Sequence, residues 1–391
     1  MDRSGSDQPC LGRAPLKLET ILTTETQPID QRISLVGRDL AALRSWAADR
    51  NLPPFRAAQV HHGLYRRLAT SPGELTDLPR ALREQLDLEV RLSDLRVVHE
   101  VSDSSGQTTK ALFALQDGAL VESVLMAYGG RDIRRRHTVC LSSQVGCALA
   151  CTFCATGRQG WARDLTVGEM VEQILYFARL LRTRGEQVTN IVYMGMGEPF
   201  LNYDAVLESV RLLTDPDAFG LGARHITIST SGVVPAIQRF ARENLQVGLA
   251  VSLHAPDDAL RSTLVPLNRR YPLAEVLDAC EEYIARTHRR VSFEYTMLEG
   301  VNDGVEQAEG LARLLRGMLC HINLIPWNRV DDMPYHPSSP LVISDFRDRL
   351  VEYGLAATIR DTRGSGISAA CGQLRTSTIR DRKGARPLPV V

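Results

Sequence analysis

Four of the chain's eight cysteines fall between residues 140 and 154. Three of them, Cys147, Cys151 and Cys154, have the spacing Cys-x3-Cys-x2-Cys in the run CALACTFC. Three thiolates on one short loop can hold three irons of a 4Fe-4S cube and leave the fourth iron without a protein ligand. Such an open site can chelate a small molecule through an amine and a carboxylate, much as catalytic metal sites keep one position free. S-adenosylmethionine (SAM) carries both groups. A reduced cluster touching SAM can push one electron into the sulfonium and release a 5′-deoxyadenosyl radical. A structural zinc site is the plainer alternative. It normally wants four ligands, often as two separated Cys pairs, and no further Cys or His stands at a suitable spacing.

Chemistry of this kind needs elements that present the loop. From His137 onward, strand-like and helix-like segments alternate. HTVCLSS is followed by VGEMVEQILYFARLLRTRG, and five more such pairs follow, ending with HINLIPWN and ISDFRDRLVEYGL. Alternation implies parallel strands covered by helices. The expected fold class is α/β, a partial (β/α)6 barrel; an open doubly wound sheet is the alternative. Active sites of such barrels lie at the C-terminal strand ends. The cysteine loop follows the first strand. Gly197 and Glu198 end the second, Ser229 the third, Ser252, Leu253 and His254 the fourth, and Asn328 the sixth. Their joint placement suggests one mouth, although Ser229 or His254 taken singly reads as a satisfied loop residue. Gly195 and Gly197 leave room for backbone to approach a ligand, and Glu198 could accept a hydrogen bond from the SAM amine.

Five segments are expected. Residues 1–30 form a polar tail, 31–93 a helical accessory domain, and 94–132 an antiparallel β extension. Residues 133–366 form the barrel, and 367–391 a C-terminal segment. Of the 391 residues, 44% are hydrophobic and 24% charged, an ordinary balance for a soluble globular protein. No apolar run approaches the roughly 20 residues that span a bilayer. The start, MDRSGSDQPC, is not that of a secretory signal, so a cytoplasmic protein is expected. Net charge is zero. The clusters Arg134 to Arg136, Arg269 with Arg270, and Arg289 with Arg290 could meet phosphate and bases, or simply be solvated faces.

The runs CLSSQVGCALACTFCATG, MGMGEP, ISTSGVVP, VSLH, LIPWN and RGSGISAACGQL, with FRAAQV in the helical segment, resemble the RlmN/Cfr family of radical SAM adenosine methyltransferases. The resemblance runs from about Arg38 to Thr378. It implies methylation of an adenine ring carbon in RNA, with a 4Fe-4S cluster and SAM as cofactors. By motif, Cys371 would take a methyl group from one SAM, and a radical made from a second SAM would activate that methyl for addition to the ring. Cys140 would help remove the ring proton and then attack Cys371 to release the product. Glu122 in VESVLM matches the proton acceptor. Gly197, Glu198, Ser229, Ser252, Leu253, His254 and Asn328 match SAM-binding positions, and Cys147, Cys151 and Cys154 the cluster ligands.

The implied product is 2-methyladenosine in large-subunit rRNA and in tRNA beside the anticodon, because Val145 in CLSSQVGC resembles the carbon-2 branch. Carbon 8 is the near alternative. The resemblance also implies a flavodoxin or ferredoxin as electron donor, no membrane, and a monomer. A radical SAM activase that makes a glycyl radical would need the cluster but not Cys371; an iron–sulfur RNA-binding protein would need neither the SAM pocket nor Cys140. Cys10, Cys280 and Cys320 read as core cysteines. Trp161, Asp164, Ser365 and Gly366 depart from the family's wording.

Overall fold

The computed structural model describes residues 30–129, 135–330, 333–361 and 363–374. The polar tail up to residue 29, Cys10, Arg134 and the chain beyond Leu374 lie outside them.

The helical segment begins with a short strand, β1 (Ile33–Ser34), and three helices: α1 (Leu40–Ala48), α2 (Pro54–Tyr65) and α3 (Arg80–Glu89). The Asp39 side chain caps α1 by accepting from the amide of Ala42 at 2.7 Å. Pro53 and Pro54 end the approach to α2, where a missing N–H costs nothing. Leu43, Trp46, Val60, Leu64 and Leu86 supply the buried face. Strand β2 (Val90–Arg91) returns parallel to β1.

Three antiparallel strands follow, β3 (Arg96–Ser102), β4 (Thr108–Ala114) and β5 (Leu120–Tyr128). Then come β6 (Arg136–Cys140), β7 (Gln144–Gly146), α4 (Ala155–Gln159), β8 (Trp161–Asp164) and α5 (Val167–Arg182). The remaining pairs are β9 (Asn190–Tyr193) with α6 (Tyr203–Thr214), β10 (Ile226–Thr230) with α7 (Val234–Phe240), and β11 (Gly248–Ser252) with α8 (Asp258–Leu264) and α9 (Leu273–Thr287). They continue as β12 (Val291–Met297) with α10 (Val305–Leu314) and β13 (Cys320–Pro326) with α11 (Pro340–Glu352), and a seventh parallel strand, β14 (Ala357–Ile359), closes the series. The sheet has ten strands in the order β14-β13-β12-β11-β10-β9-β6-β5-β4-β3. The six expected strand–helix units are present, as a partial barrel. The extension is part of the same sheet, since β5 pairs with β6 from Val124–Cys140 to Tyr128–Arg136. Cys320 opens β13, and Cys280 is buried in α9.

Register explains where the polar residues point. Directly paired residues share a face, and side chains alternate along each strand. Following the pairs across the sheet puts Lys110, Glu122, Cys140, Ser229, Ser252, Glu294 and Asn323 on one face. The opposite face carries Val139, Ile191, Ile228, Val251, Phe293 and Leu324, all buried. One side of the sheet is therefore the apolar seat for the helices, and the other is the polar interior of the partial barrel. No helix among the described residues is long and apolar enough to cross a membrane.

Candidate active site at the strand ends

The cysteine loop is pinched shut at its base. Strands β7 and β8 form a separate two-stranded ladder, and the amide of Cys147 donates to the carbonyl of Gly160 at 2.9 Å. Gly146 has a φ of +77°, and a Cβ there would fall 1.9 Å from the Gly160 oxygen, so only glycine closes this neck. Trp161 and Asp164 serve the ladder together. The carboxylate of Asp164 accepts from the Trp161 indole at 3.2 Å and from the Gln144 amide at 2.7 Å.

Other elements hold the loop from outside. The Thr152 amide donates to the Leu264 carbonyl at 3.0 Å. The Trp327 indole donates to the Phe153 carbonyl at 3.0 Å. Phe153 meets the His254 ring edge-on, centroids 4.7 Å apart.

The three thiols suit a cluster. Cys147, Cys151 and Cys154 lie within electrostatic reach of one another. Burial, reinforced by the neighbouring thiols, pushes Cys147 well above the usual thiol range and Cys151 up to about 12. Thiolates this enclosed persist when metal ligation replaces their lost hydration. Among the described residues no three His, Cys, Asp or Glu side chains converge on a point that one ion could fill; a cubane gives each cysteine its own iron and does not require that.

Arg261 of α8, fully buried, is within electrostatic reach of Cys151 and favours negative charge there. Its guanidinium donates to the carbonyls of Leu253 at 3.1 Å, Ser252 at 3.1 Å and Ser231 at 2.8 Å, and to Asn268 at 2.7 Å. It thus ties the ends of β10 and β11 together. Burial lowers it to about 10.

The expected SAM positions gather at the same end of the sheet, and two of them also have structural partners. The space left by Gly195 and Gly197 is filled by the chain itself. A Cβ on Gly195 would meet the Leu141 oxygen at 2.6 Å, and one on Gly197, whose φ is +103°, would meet the Gln144 Cβ at 2.6 Å. These glycines let the second strand end pack on the segment leading into the cysteine loop. Glu198 is buried and already committed: its carboxylate accepts from the amides of Phe200 at 3.0 Å and Ser231 at 2.8 Å. Burial raises it despite those bonds, and it lies near Cys147 and Cys151.

His254, with φ +62°, is buried and held neutral, lowered to about 3 by desolvation and then by Arg261. Its Nδ1 accepts from the Thr296 amide at 3.0 Å, so its local role is to lock β11 to β12. Ser229 and Ser252 are half-buried on the interior face. Leu253 is buried, and Asn328 caps the end of β13 through the Pro326 carbonyl at 3.4 Å.

The C-terminal segment closes over this mouth. Gly364, φ +72°, lies so close to β4 that a Cβ would meet Thr108 Cγ2 at 2.8 Å. Arg363 donates to the Ala127 carbonyl at 3.0 Å. On the other side the amide of Ala155 donates to Gly372 at 2.8 Å, the Thr156 hydroxyl to Leu374 at 2.6 Å, and the Gln373 amide to Arg329 at 2.9 Å. Cys371 is thereby suspended between the extension and the cysteine loop.

Cys371 is exposed as a residue, while its thiol is surrounded closely enough by protein to feel desolvation. Desolvation raises it; the nearby Arg360 guanidinium opposes that, while Glu294 and Cys154 add to it. Cys140, on the interior face of β6, is pushed up by burial and by Cys371. Glu122 is buried on β5 and paired with Lys110 at 3.0 Å. Sequence reading missed Arg261, Arg360, Lys110, Glu294 and Asn323. A lone Glu in the apolar strand VSFEYTM was the available signal for Glu294, because a buried carboxylate needs partners; Asn323 donates to it at 2.8 Å.

A partial α/β barrel that presents a three-cysteine loop from its first strand is the architecture of radical SAM enzymes, and the family model of the radical SAM superfamily matches residues 141–315. The model described as "Ribosomal RNA large subunit methyltransferase N-terminal domain" matches residues 33–92. A relative from Chloroflexus aurantiacus named "Probable dual-specificity RNA methyltransferase RlmN" is 49% identical, over 85% of this chain and 89% of its own. One of the same name from Moorella thermoacetica is 47% identical, over 88% of this chain and 97% of its own. The crystal structure of a radical SAM methyltransferase from Sphaerobacter thermophilus superposes with a TM-score of 0.85 at 51% identity, covering 88% of this chain and 99% of that one. The chain belongs to the RlmN family of radical SAM methyltransferases, whose cofactors are a 4Fe-4S cluster and SAM.

Proposed function

We propose that the chain methylates carbon 2 of adenosine in large-subunit rRNA, and in tRNA beside the anticodon, with Cys371 as the methyl carrier. The observation that carries this reading is the setting of Cys371. Its thiol is within electrostatic reach of Cys154 in the cysteine loop and of Cys140 on β6. A carrier must meet both the radical source and the group that releases it.

Cys147, Cys151 and Cys154 would hold the cluster. When bound, the cluster and SAM supply a 5′-deoxyadenosyl radical. The chain's own residues do the rest. The Cys371 thiolate, favoured by Arg360, attacks the methyl group of a first SAM; a carbon–sulfur bond forms and S-adenosylhomocysteine leaves. The S-methyl group would then give up a hydrogen atom to the 5′-deoxyadenosyl radical, leaving 5′-deoxyadenosine. Its carbon adds to the adenine ring, and as the ring proton leaves, the adduct's unpaired electron would pass to the oxidised cluster, which the electron donor keeps in use. Glu122 takes the ring proton. Cys140 attacks the Cys371 sulfur, and a disulfide forms as the methylated base departs. A soluble one-electron donor, flavodoxin or ferredoxin, supplies the reducing electron to the monomeric enzyme.

The test is anaerobic reconstitution with iron, sulfide, SAM and reductant, then incubation with unmodified rRNA and tRNA. Mass spectrometry of the nucleosides is expected to find 2-methyladenosine. Cluster-loaded enzyme that cleaves SAM yet yields no methylated adenine would sink the reading, and a methyl on carbon 8 would overturn the carbon-2 assignment.

A further inference from the structure

The chain has three lysines, Lys17, Lys110 and Lys383, against 43 arginines. Lys110 stands on β4, on the interior face, diagonally across from Glu122 on β5. Its side chain is mostly buried. Its ammonium is 3.0 Å from Glu122 Oε1 and donates to the carbonyl of Ser368 at 3.1 Å. Ser368 lies three residues before Cys371 and has a φ of +51°, a left-handed conformation that serine adopts where contacts impose it.

One ammonium therefore touches both the carboxylate assigned to the ring proton and the segment that carries the methyl. A carboxylate this buried needs a counter-charge, and a compact ammonium with three donors can serve two oxygens at once.

We infer that Lys110 is a positioning residue for the methyl-transfer reaction: it fixes Glu122 and the Cys371 segment relative to one another, so that proton acceptor and methyl carrier meet the target adenine in register. The inference rests on the proposed roles of Cys371 and Glu122. A purely structural alternative exists, in which Lys110 only bolts the C-terminal segment to the extension. The two make different forecasts. A positioning lysine that acts through Glu122 has little left to do once Glu122 is gone. A bolt matters equally with or without it.

The deciding experiment is a double-mutant cycle on reconstituted full-length enzyme, combining Lys110→Met with Glu122→Gln. Iron content and thermal unfolding check each variant. Methylation of Cys371 by SAM, read by peptide mass spectrometry, is followed separately from methylation of RNA. We expect Lys110→Met to lower kcat for RNA about tenfold or more, with KM for RNA changed less than about twofold. In the Glu122→Gln background the same substitution is expected to cost less than about twofold. If Lys110→Met fails to fold, Lys110→Arg, which keeps the charge but not the compact geometry, replaces it in the cycle.

Losses that multiply in the double variant would overturn the inference, as would a Glu122→Gln enzyme of full activity beside a crippled Lys110 variant. A failure of the underlying reading looks different: in that case Cys371 carries no methyl even in the unsubstituted enzyme.

Discussion

The amide of Ala155 donates to the carbonyl of Gly372 at 2.8 Å, which joins the residue after Cys154 to the residue after Cys371. The cysteine loop and the Cys371 segment are thus neighbours through backbone, not through side chains that drift. The β extension supplies the opposite anchor, through Thr108 and Lys110. The extension continues the barrel sheet through the β5–β6 pairing, and its strand β4 gives the C-terminal segment an anchor on the sheet that carries Glu122 and Cys140.

Cys371→Ala removes the proposed carrier and little else, since the residue is exposed and not part of the core. RNA methylation is expected to fall by about a thousandfold or more, because no other thiol takes over the transfer. Reductive cleavage of SAM to 5′-deoxyadenosine should persist, since the cluster ligands are untouched. Both products can be quantified by liquid chromatography in one reaction. Ordinary RNA turnover by this variant would end the carrier assignment.

Cys140→Ala should uncouple addition from release. Cys140 lies on the interior face of β6 close enough to Cys371 for their charges to interact. Without it, the thioether between Cys371 and the base has no intramolecular thiol to break it. The expected outcome is a covalent protein–RNA species on a denaturing gel, sensitive to both nuclease and protease. If the variant turns over freely and no such band appears, release takes another route.

Arg261→Met tests the knot behind the cluster loop. The substitution keeps the stem but leaves the Leu253, Ser252 and Ser231 carbonyls and the Asn268 oxygen without their donor. Orphaned buried acceptors cost about 1–3 kcal/mol each, with partial relief from relaxation, so a loss of roughly 3–5 kcal/mol is expected in denaturant unfolding. Iron content after reconstitution should drop with it, since Arg261 favours the thiolate of Cys151. A variant of unchanged stability would mean the strand ends hold themselves.

The cysteine spacing and the six strand–helix units were legible because both are local patterns: three ligands within eight residues, and apolar periods that switch between strand and helix. The common polar face was not legible. Lys110, Glu122, Cys140 and Glu294 share it only through register, and a slip of one residue would turn any of them outward. The ladder of β7 and β8 is three or four residues long and joins segments on either side of the cysteine loop, too short to announce itself. Strand β14 has three residues and no periodicity of its own. Glycines at 195 and 197 were visible, but not that Leu141 and Gln144 would occupy the space beside them.

Glu172 of α5 makes the stability of the contact between α5 and residues 93–95 depend on pH. Its buried carboxylate accepts from the amides of Asp94 at 2.5 Å and Leu95 at 3.1 Å and from the Ser93 hydroxyl, with Arg179 at 3.9 Å. Burial raises it from 4.5 to about 7, more than these donors can offset. A carboxyl group raised on folding binds its proton more tightly in the folded chain. Its stabilising contribution is complete below about 4.5 and is lost as pH rises to about 7. Over that window the term is on the order of 3 kcal/mol. Glu172→Gln cannot titrate, so its thermal midpoint should fall less between pH 5 and pH 8 than that of the unsubstituted protein. Scanning calorimetry of both proteins across about six pH values isolates the difference, because all other titrating groups are shared. Parallel curves would show that the carboxylate stays ionised throughout, with the Ser93, Asp94 and Leu95 donors outweighing its burial.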